Sequence, residues 1–413
     1  MEICKAFKFR IYLTSSQLSL IEKTFGCVRF IYNSMLAERK EAYERLKDEP
    51  NREALWTYKY KTEKDYKFEN AWLSEVDSTS LQQSRIDLSN AYSNFFKSLS
   101  GKRKGNSGFP RFHKKGVKES YRSMCVNNNI KVDFDSRKIK LPKIGWVKYR
   151  DNRVFDNSLI KQVTVSKSKT GKYFASILVR AKIDDIEKMT YTPEMIINGF
   201  DMSLENFYVD ANGNSPEYVR RFRNNQNHIA YLQKQVSKKK LGSSNRRKAQ
   251  MRVNKLHEKI VNSRKDFVEK LSNKVISEND AIVIESLNMR AMAQSLKLGK
   301  SVNDLGWGMF VNRIEQKIAL TEKILIKADK FFASSQICHI CGYQNHDLTL
   351  KDREWDCPVC RSHLMRDENA GQNLRQFGIN FLTNTRQGLP TEPAEMSSAE
   401  ESMKQEAFDF SQM

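Results

Sequence analysis

Two Cys-x2-Cys pairs near the C-terminus constrain this chain more than any other feature. The pairs are Cys338/Cys341 and Cys357/Cys360, with fifteen residues between them. Four thiolates at this spacing are typical of a zinc site, and four ligands leave no open coordination position. The sequence therefore predicts a structural zinc ion, with an iron–sulfur cluster as the alternative occupant.

The other cysteines and the N-terminus indicate a cellular compartment. Cys4, Cys27 and Cys125 are scattered, and the total of seven is odd, which argues against a disulfide framework. The first residues, MEICKAFKFRIYL, lack the apolar stretch and the cleavage site of a signal peptide. No stretch resembles a transmembrane helix. We expect a reducing, cytoplasmic location.

The charge balance indicates a polyanionic partner. The 413 residues include 71 Lys and Arg against 49 Asp and Glu, a formal net charge of +22. A surface this positive attracts nucleic acid in a salt-dependent way. The densest stretch, 234–265, has twelve basic residues and one acid, Glu258. We expect a nucleic-acid partner and association with the nucleoid, although a solvated helix face can have the same composition.

The hydrophobic pattern changes along the chain. Residues 1–13 alternate with period two, as strands do, whereas residues 15–100 place apolar side chains three and four apart, as helices do. The stretch 101–116, GKRKGNSGFPRFHKKG, predicts either a loop that contacts phosphates or a solvated linker. Residues 118–182 are again typical of strands, with a hairpin signal at 169–172. The segment from Leu382 onward is acidic, and we expect it to be disordered.

Three acidic residues occur in similar contexts. Asp201 follows an apolar stretch, Glu285 ends the apolar strand AIVIE, and Asp367 opens a predicted helix. A carboxylate at a buried strand end is costly unless it binds a cation. Converging at one point, these acids would match an RNase H-like nuclease centre, where two divalent ions activate water and stabilise the leaving oxygen. Their spacing alone leaves open that they are merely exposed.

Several motifs resemble those of the TnpB proteins of bacterial insertion sequences. These are RNA-guided DNA endonucleases related to the miniature type V CRISPR effectors. The stretch KFFASSQICHICGYQNHDLTLKDREWDCPVC is similar to the family's zinc ribbon, and RDENAGQNL to its Arg-Asp-x-Asn-Ala-Ala-x-Asn-Ile motif. Other similar blocks, in the family's order, are SLQQSRIDLSNAYSNFF, SGFPRFHKK, GFDMSLENFYVDANG, VIESLNM and GWGMF. The resemblance covers nearly the whole chain.

The resemblance implies an α+β multidomain fold. In this family a four-cysteine zinc ribbon is inserted into an RNase H-like (RuvC) α/β nuclease, just before the third catalytic acid. The expected segments are a wedge-like β-barrel (1–15 and 118–190), an inserted helical recognition lobe (16–117), the nuclease (191–335 and 363–381), the ribbon (336–362) and a disordered acidic tail (382–413).

The resemblance also implies a function. Asp201, Glu285 and Asp367 would hold two Mg²⁺ ions and cut both strands of a target duplex. The basic surface would bind a guide RNA made from the element's own end, and the N-terminal lobe would read a short motif beside the target. Base pairing with the guide would supply most of the specificity. We expect a monomer bound to its RNA.

Candidate nucleic-acid contacts fall in two groups. For motif reading, the matching N-terminal blocks contain Tyr58, Gln82 and Gln83, and amide side chains can read base edges. A helix surface is the alternative interpretation. For phosphate contacts the candidates are Arg103, Lys104, Arg111, Lys239, Lys240, Arg246 and Arg247.

Three positions depart from the family pattern, and three other functions stay open. Ser203 stands where Gly is usual, Met365 where many relatives have a further Asp, and Gly371 where the motif has its second Ala. The first two could weaken cleavage. The alternatives are an RNA-guided repressor that binds without cutting, a DNA transposase with an RNase H-like fold, and a zinc-ribbon transcription factor.

Overall fold

The computed structural model describes residues 2–47, 57–103, 105, 107–182, 186–287, 292, 299, 304–329, 332–349, 351–387 and 394–396. The chain divides into two compact units, Met1–Ile183 and Asp184–Met413. Among the described helices, none is both long enough and apolar enough to cross a membrane.

An antiparallel sheet of seven strands forms much of the N-terminal unit. The strands are β1 (Glu2–Tyr12), β2 (Glu119–Met124), β3 (Lys131–Asp133), β4 (Lys138–Leu141), β5 (Gly145–Tyr149), β6 (Ile160–Lys167) and β7 (Tyr173–Lys182). They lie in the order β2-β6-β7-β1-β5-β4-β3. In β1 the period-two alternation buries Phe7, Phe9 and Ile11 on one face, as the sequence predicted.

The predicted wedge-like β-barrel is not confirmed. Within the described residues the sheet ends at β2 and β3, and no pairing joins these two edge strands. β1 and β5 share two paired positions, Ile11–Tyr149 and Tyr12–Lys148. Hydrophobic alternation predicts strands, but closure depends on strand tilt and stagger, which the alternation does not encode.

Helices are the other regular elements described in this unit. They are α1 (Ser15–Leu46), α2 (Glu63–Glu69) and α3 (Ser78–Leu99), with 3-10 turns at Ala71–Glu75 and Asn157–Leu159. The side chain of Thr14 caps α1, and that of Asp77 caps α3. A cluster that includes Ile31, Leu36 and Leu81 packs the helices together.

The C-terminal unit contains a mixed five-stranded sheet and a two-stranded hairpin. The strands are β8 (Ile197–Ser203), β9 (Phe207–Asp210), β10 (Ala281–Glu285), β11 (Ile324–Ala328), β12 (Glu354–Asp356), β13 (His363–Met365) and β14 (Ala394–Met396). The large sheet has the order β14-β11-β10-β8-β9. Its three central strands run parallel, whereas both edge strands are antiparallel.

Within the described residues, four helices accompany this sheet: α4 (Arg221–Ser237), α5 (Ser244–Glu278), α6 (Trp307–Ile318) and α7 (Arg366–Gln387). α4 and α5 are consecutive and pack through Leu232, Val236 and Val253. α6 packs on the sheet through Trp307 and Phe310. α7 packs on it through residues that include Leu374 and Phe377.

Helix α7 and strand β14 correct the start of the predicted tail. α7 continues through Gln387, and the side chain of Leu382 is 5% exposed. β14, which lies within the predicted tail, pairs antiparallel with β11. The acidic composition predicted disorder from Leu382 onward, but the burial of Leu382 favours continuation of the helix. The rest of the predicted tail lies outside the described residues.

Candidate active site and cysteine cluster

Parallel strands bring two of the predicted acids side by side. Ile284 of β10 and Phe200 of β8 form the last parallel pair, so the next residues, Glu285 and Asp201, are neighbours where this pairing ends. Glu285 is the last residue of β10, and Asp201 lies two residues before the end of β8. This edge of an open parallel sheet is where ligands usually bind. The apolar residues before each acid explain the arrangement, because they bury both strands.

Helix α7 provides the third acid, and close glycine contacts set the position of this helix. Asp367 is the second residue of α7. A Cβ atom on Gly199 of β8 would lie 2.2 Å from the carbonyl oxygen of Gly371. One on Gly371 would lie 2.8 Å from the backbone carbonyl of Asp210. The departure from the family motif at Gly371 therefore fits this chain, where the backbones are too close for a side chain.

The three acids act on one another electrostatically. Burial raises the pKa of Asp201 well above its usual value, and the nearby charges of Glu285 and Asp367 raise this pKa further. Arg366 opposes both effects. Burial also raises the pKa of Glu285, against a hydrogen bond from Ser334. Two neighbouring acids with raised pKa values, Asp201 and Glu285, are typical of a functional site and would be compensated by a bound cation.

Two of the acids have polar partners that the sequence did not single out. The Ser334 hydroxyl donates a hydrogen bond to Oε1 of Glu285. The guanidinium of Arg366 donates to Oδ1 of Asp367 over 3.3 Å from Nε and 3.1 Å from Nη2. Arg353 lies 3.8 Å from Oδ2 of the same carboxylate. No local pattern marks Ser334 or Arg353, since both contacts depend on the tertiary fold.

The four predicted zinc ligands converge. The Sγ atoms of Cys338, Cys341, Cys357 and Cys360 all lie within 4.8 Å of one another. Cys338 and Cys360 are 3.6 Å apart, and Cys341 and Cys357 are 3.5 Å apart. Tetrahedral bonds of about 2.3 Å put sulfur atoms about 3.8 Å apart, so the cluster can hold a zinc ion. In the described part of the chain it is the one group of potential ligands this tightly spaced, and the three acids are further apart.

Two similar turns produce the cysteine cluster. The backbone N–H of Gly342 donates to the Cys338 carbonyl, and that of Arg361 donates to the Cys357 carbonyl, both over 2.8 Å. Gly342 and Arg361 both have positive φ, 77° and 59°. The hairpin of β12 and β13 then leads directly into α7, so the cluster lies just before Asp367 in the chain.

The candidate motif-reading residues differ in exposure. Gln83 is 8% exposed, Gln82 is half-buried, and Tyr58 packs against Tyr60 with ring centroids 4.8 Å apart. The guanidinium of Arg45 lies over the Tyr58 ring at 5.5 Å. The burial of Gln83 favours a packing role for this residue.

The candidate phosphate contacts divide in the same way. Arg111, Lys239, Lys240 and Arg247 are exposed, and Arg103 is half-buried. Lys104 lies outside the described residues. The guanidinium of Arg246 instead donates to the carbonyls of Val236 and Lys239, over 3.2 and 3.0 Å. Arg246 therefore stabilises the turn between α4 and α5.

Aromatic rings and basic side chains contact one another on the recognition-lobe candidate, and Phe109 and Phe112 among them are exposed. Lys40 lies over the rings of Phe109 and Phe112, at 5.4 and 4.7 Å. His113 stacks on Tyr32 with centroids 3.8 Å apart, and its backbone exchanges two hydrogen bonds with the Asn33 amide. The loop predicted at 101–116 is thus anchored to α1 by aromatic residues. Base stacking and phosphate binding use the same residue types.

Three family profiles match the chain. They are described as "Probable transposase" (residues 182–296), "Helix-turn-helix domain" (1–48) and "Cas12f1-like, TNB domain" (307–374). The described part of the range 1–48, residues 2–47, differs from the second description, because it contains one strand and one long helix.

Relatives are similar over most of their length. A Streptomyces pristinaespiralis protein named "Putative RNA-guided DNA endonuclease" is 32% identical, over 92% of this chain and 90% of its own. InsQ of Escherichia coli K12, with the same descriptive name, is 29% identical over 97% of this chain and all of its own. A TnpB-like protein of Acanthamoeba polyphaga mimivirus is 23% identical, over 35% of this chain and 28% of its own.

A solved structure has a similar fold. The cryo-EM structure of a Cas12f1–sgRNA–target DNA complex contains a chain with a TM-score of 0.50 and 13% identity, covering 91% of this chain and 99% of that one. The identity is too low to carry residue roles, so this match shows the fold alone. Together with the extensive match to the Streptomyces relative, the order of acids and cysteine cluster places the chain in the TnpB family of proteins named as RNA-guided DNA endonucleases.

Proposed function

We propose that this protein is an RNA-guided DNA endonuclease whose active site is formed by Asp201, Glu285 and Asp367. The observation that carries the proposal is the convergence of these acids, which are distant in sequence: burial raises the pKa of Asp201, and the nearby charges of Glu285 and Asp367 raise it further. Their place at the carboxyl edge of a parallel sheet supports it. The names of the relatives support the activity.

The donor set fits two Mg²⁺ ions. Carboxylate oxygens are hard ligands of the kind that Mg²⁺ prefers, and the three acids provide six of them. Bound divalent ions would supply charge stabilisation and an activated water for phosphodiester hydrolysis. Hydrolysis would join the water oxygen to phosphorus as the bond to the 3′ oxygen breaks, and a proton from water would pass to that oxygen, which leaves a 5′ phosphate and a 3′ hydroxyl.

Asp367 must exchange a partner for this chemistry, whereas Glu285 can bind an ion through its other oxygen while it keeps its hydrogen bond from Ser334. Asp367 forms ion pairs with Arg366 and Arg353, and Glu285 accepts a hydrogen bond from Ser334. Arg366 is 14% exposed at its side chain and stays beside the site, whereas Arg353 is 61% exposed. We expect Arg353 to move toward a DNA phosphate when Asp367 binds an ion, because a guanidinium binds phosphate as well as carboxylate.

Each expected domain would contact a different part of the guide RNA and target DNA. A recognition lobe at 16–117 would read the motif beside the target, and a sheet-based wedge at 1–15 and 118–190 would support it. The nuclease, ribbon and basic residues such as Lys239 would hold the guide RNA and the duplex. Both DNA strands would be cut by the one site, in a monomer bound to its RNA.

The test begins with the protein co-expressed with the DNA that flanks its gene. Any bound RNA is sequenced, and the complex receives a duplex that matches the guide, with Mg²⁺. We expect cutting that Asp201→Ala abolishes while target binding persists. Tight binding without cutting would instead indicate an RNA-guided repressor, and absence of a specific RNA would contradict RNA guidance and favour the transposase.

A further inference from the structure

Two buried asparagines of α7 hold the segment that enters the cysteine cluster. Asn373 Nδ2 donates to the carbonyls of Ser334 and Ile337, over 2.7 and 2.6 Å. Asn369 Nδ2 donates to the Ile337 carbonyl over 2.7 Å, and its Oδ1 accepts from the backbone N–H of His339 over 3.0 Å. The two asparagines lie one helical turn apart and therefore act on the same strip of backbone.

The same segment contacts an active-site acid. Ser334 is buried, at 4% exposure, and its hydroxyl donates a hydrogen bond to Glu285. Ser334 precedes Cys338 by four residues, and the intervening backbone is held by Asn369 and Asn373. The direction of the Glu285 carboxylate therefore depends on a stretch of chain that ends at a cysteine ligand.

A second contact reaches another acid from the loop between the cysteine pairs. Arg353 forms an ion pair with Asp367. The backbone N–H of Arg366 donates to the Arg353 carbonyl over 2.8 Å, and Arg366 Nη1 donates to the Asp352 carbonyl over 3.0 Å. The segments that adjoin the cysteine cluster thus contact two of the three acids, Glu285 through Ser334 and Asp367 through Arg353.

We propose that Ser334 is a positioning residue for Glu285, and that a metal-filled cysteine cluster keeps Ser334 in place. This inference rests on the proposed function of the three acids. Partners that hydrogen-bond a ligating carboxylate fix its direction, and their loss commonly weakens metal affinity by about 10- to 100-fold. The cysteine cluster then has a role beyond local folding, because it controls divalent-ion binding at a separate site.

The test measures ion binding as well as cleavage. The complex with its guide RNA is titrated with Mn²⁺ and followed by electron paramagnetic resonance. An Asp201→Ala complex serves as the blank for ions held by RNA. We expect Ser334→Ala to weaken the remaining Mn²⁺ binding by about 10-fold while its zinc content stays at the wild-type level.

Ser335→Ala is the matched control, because the Ser335 hydroxyl makes no hydrogen bond to the described residues. We expect it to bind Mn²⁺ as the wild type does. Wild-type Mn²⁺ affinity in Ser334→Ala would overturn the inference and leave the proposed function intact. If the wild type itself showed no binding above the blank, the proposed metal site would fail, and this inference with it.

A double-mutant cycle tests the connection to the cysteine cluster. Cys360→Ser removes one zinc ligand, and circular dichroism checks that the fold persists. We expect Cys360→Ser to weaken Mn²⁺ binding strongly in the wild-type background and much less in the Ser334→Ala background, because both changes release the same carboxylate. Independent, additive losses would overturn the route through Ser334. Should Cys360→Ser fail to fold, Asn373→Ala replaces it in the cycle.

Discussion

At the scale of single residues, the ionised form of Asp201 is destabilised by burial and by two neighbouring acids. Asp201 is held beside Glu285 and Asp367, and Arg366 is the one cation that lowers its pKa in the interactions described. The sequence indicated the three acids through their positions at strand and helix ends. It gave no indication of Ser334 or Arg353, because hydrogen bonds across 49 residues and ion pairs across 14 leave no periodic pattern.

Asp201→Asn should stabilise the metal-free protein at neutral pH while it abolishes cleavage. The raised pKa of Asp201 means that the folded chain binds a proton more readily than the unfolded chain does. Stability is therefore lost as the pH rises from the usual aspartate range through the folded pKa. We expect the melting temperature without divalent ions to rise by a few degrees, since one pKa unit is worth about 1.4 kcal/mol.

Asp347→Asn, at an exposed aspartate, is the control and should leave the melting temperature unchanged. Added Mg²⁺ should reverse the order, because it stabilises the wild type and not Asp201→Asn. A lower melting temperature for metal-free Asp201→Asn would contradict the electrostatic account.

The cleavage rate should begin to fall at a higher pH than it would if the active-site carboxylates had ordinary pKa values. Burial raises the pKa of both Asp201 and Glu285, so these groups become protonated at a higher pH than usual and then bind cations poorly. Single-turnover rates measured against pH at low and high Mg²⁺ would show this. We expect the acidic limb to move to lower pH at high Mg²⁺, because ions compete with protons. An acidic limb at the same pH for both Mg²⁺ concentrations would contradict competition between ions and protons at these carboxylates.

At the scale of elements, the position of α7 depends on glycines. Gly371 and Gly378 lie two turns apart on this helix, and a Cβ on Gly378 would lie 2.5 Å from a methyl group of Val283. Sequence patterns predicted helix α7 and the buried strand β10. They did not predict how closely the two approach, because contact distance depends on the opposing surface. Likewise, they predicted the strands of the N-terminal sheet but not its open edges.

Gly371→Ala should destabilise the protein although alanine is the better helix former. The added Cβ would meet the Asp210 carbonyl at 2.8 Å, so α7 must shift. We expect a loss of about 1–3 kcal/mol in the free energy of unfolding. Gly26→Ala in α1 is the matched control, since its Cβ meets nothing nearer than 4.0 Å. Denaturant unfolding should show a gain of up to about 1 kcal/mol there. Equal effects at the two positions would contradict the contact argument.

At the scale of the whole molecule, the net charge of +22 suits a protein that binds nucleic acid over a large area. Composition predicted this partner class, and the spacing of the four cysteines predicted that they converge in a cluster that can hold a metal ion. The extent of the order at the C-terminus was not predictable from composition, because the burial of Leu382 and the pairing of β14 involve few residues.

Lys239→Ala and Lys240→Ala should weaken guide RNA binding modestly and reduce its salt dependence. Removal of one lysine–phosphate ion pair lowers the slope of log affinity against log salt by about 0.7–0.9. Filter binding across a salt series measures this slope. Lys131→Ala, also at an exposed lysine, is the control and should keep the wild-type slope. Unchanged slopes for the first two variants would remove these lysines from the RNA interface.

The direct junction between β13 and α7 limits how this gene can change in length. β13 ends at Met365 and α7 begins at Arg366, with no linker between them. One inserted residue there would turn the helix by about 100° relative to the hairpin, and the carboxylate of Asp367 would face away from its neighbours. The stretch 346–349, between the two cysteine pairs and before Arg353, belongs to no strand and has no such phase to keep. Insertions and deletions that survive selection should therefore accumulate between the cysteine pairs. In a library of in-frame insertions selected for activity, variants with an insertion between Met365 and Arg366 should be nearly absent.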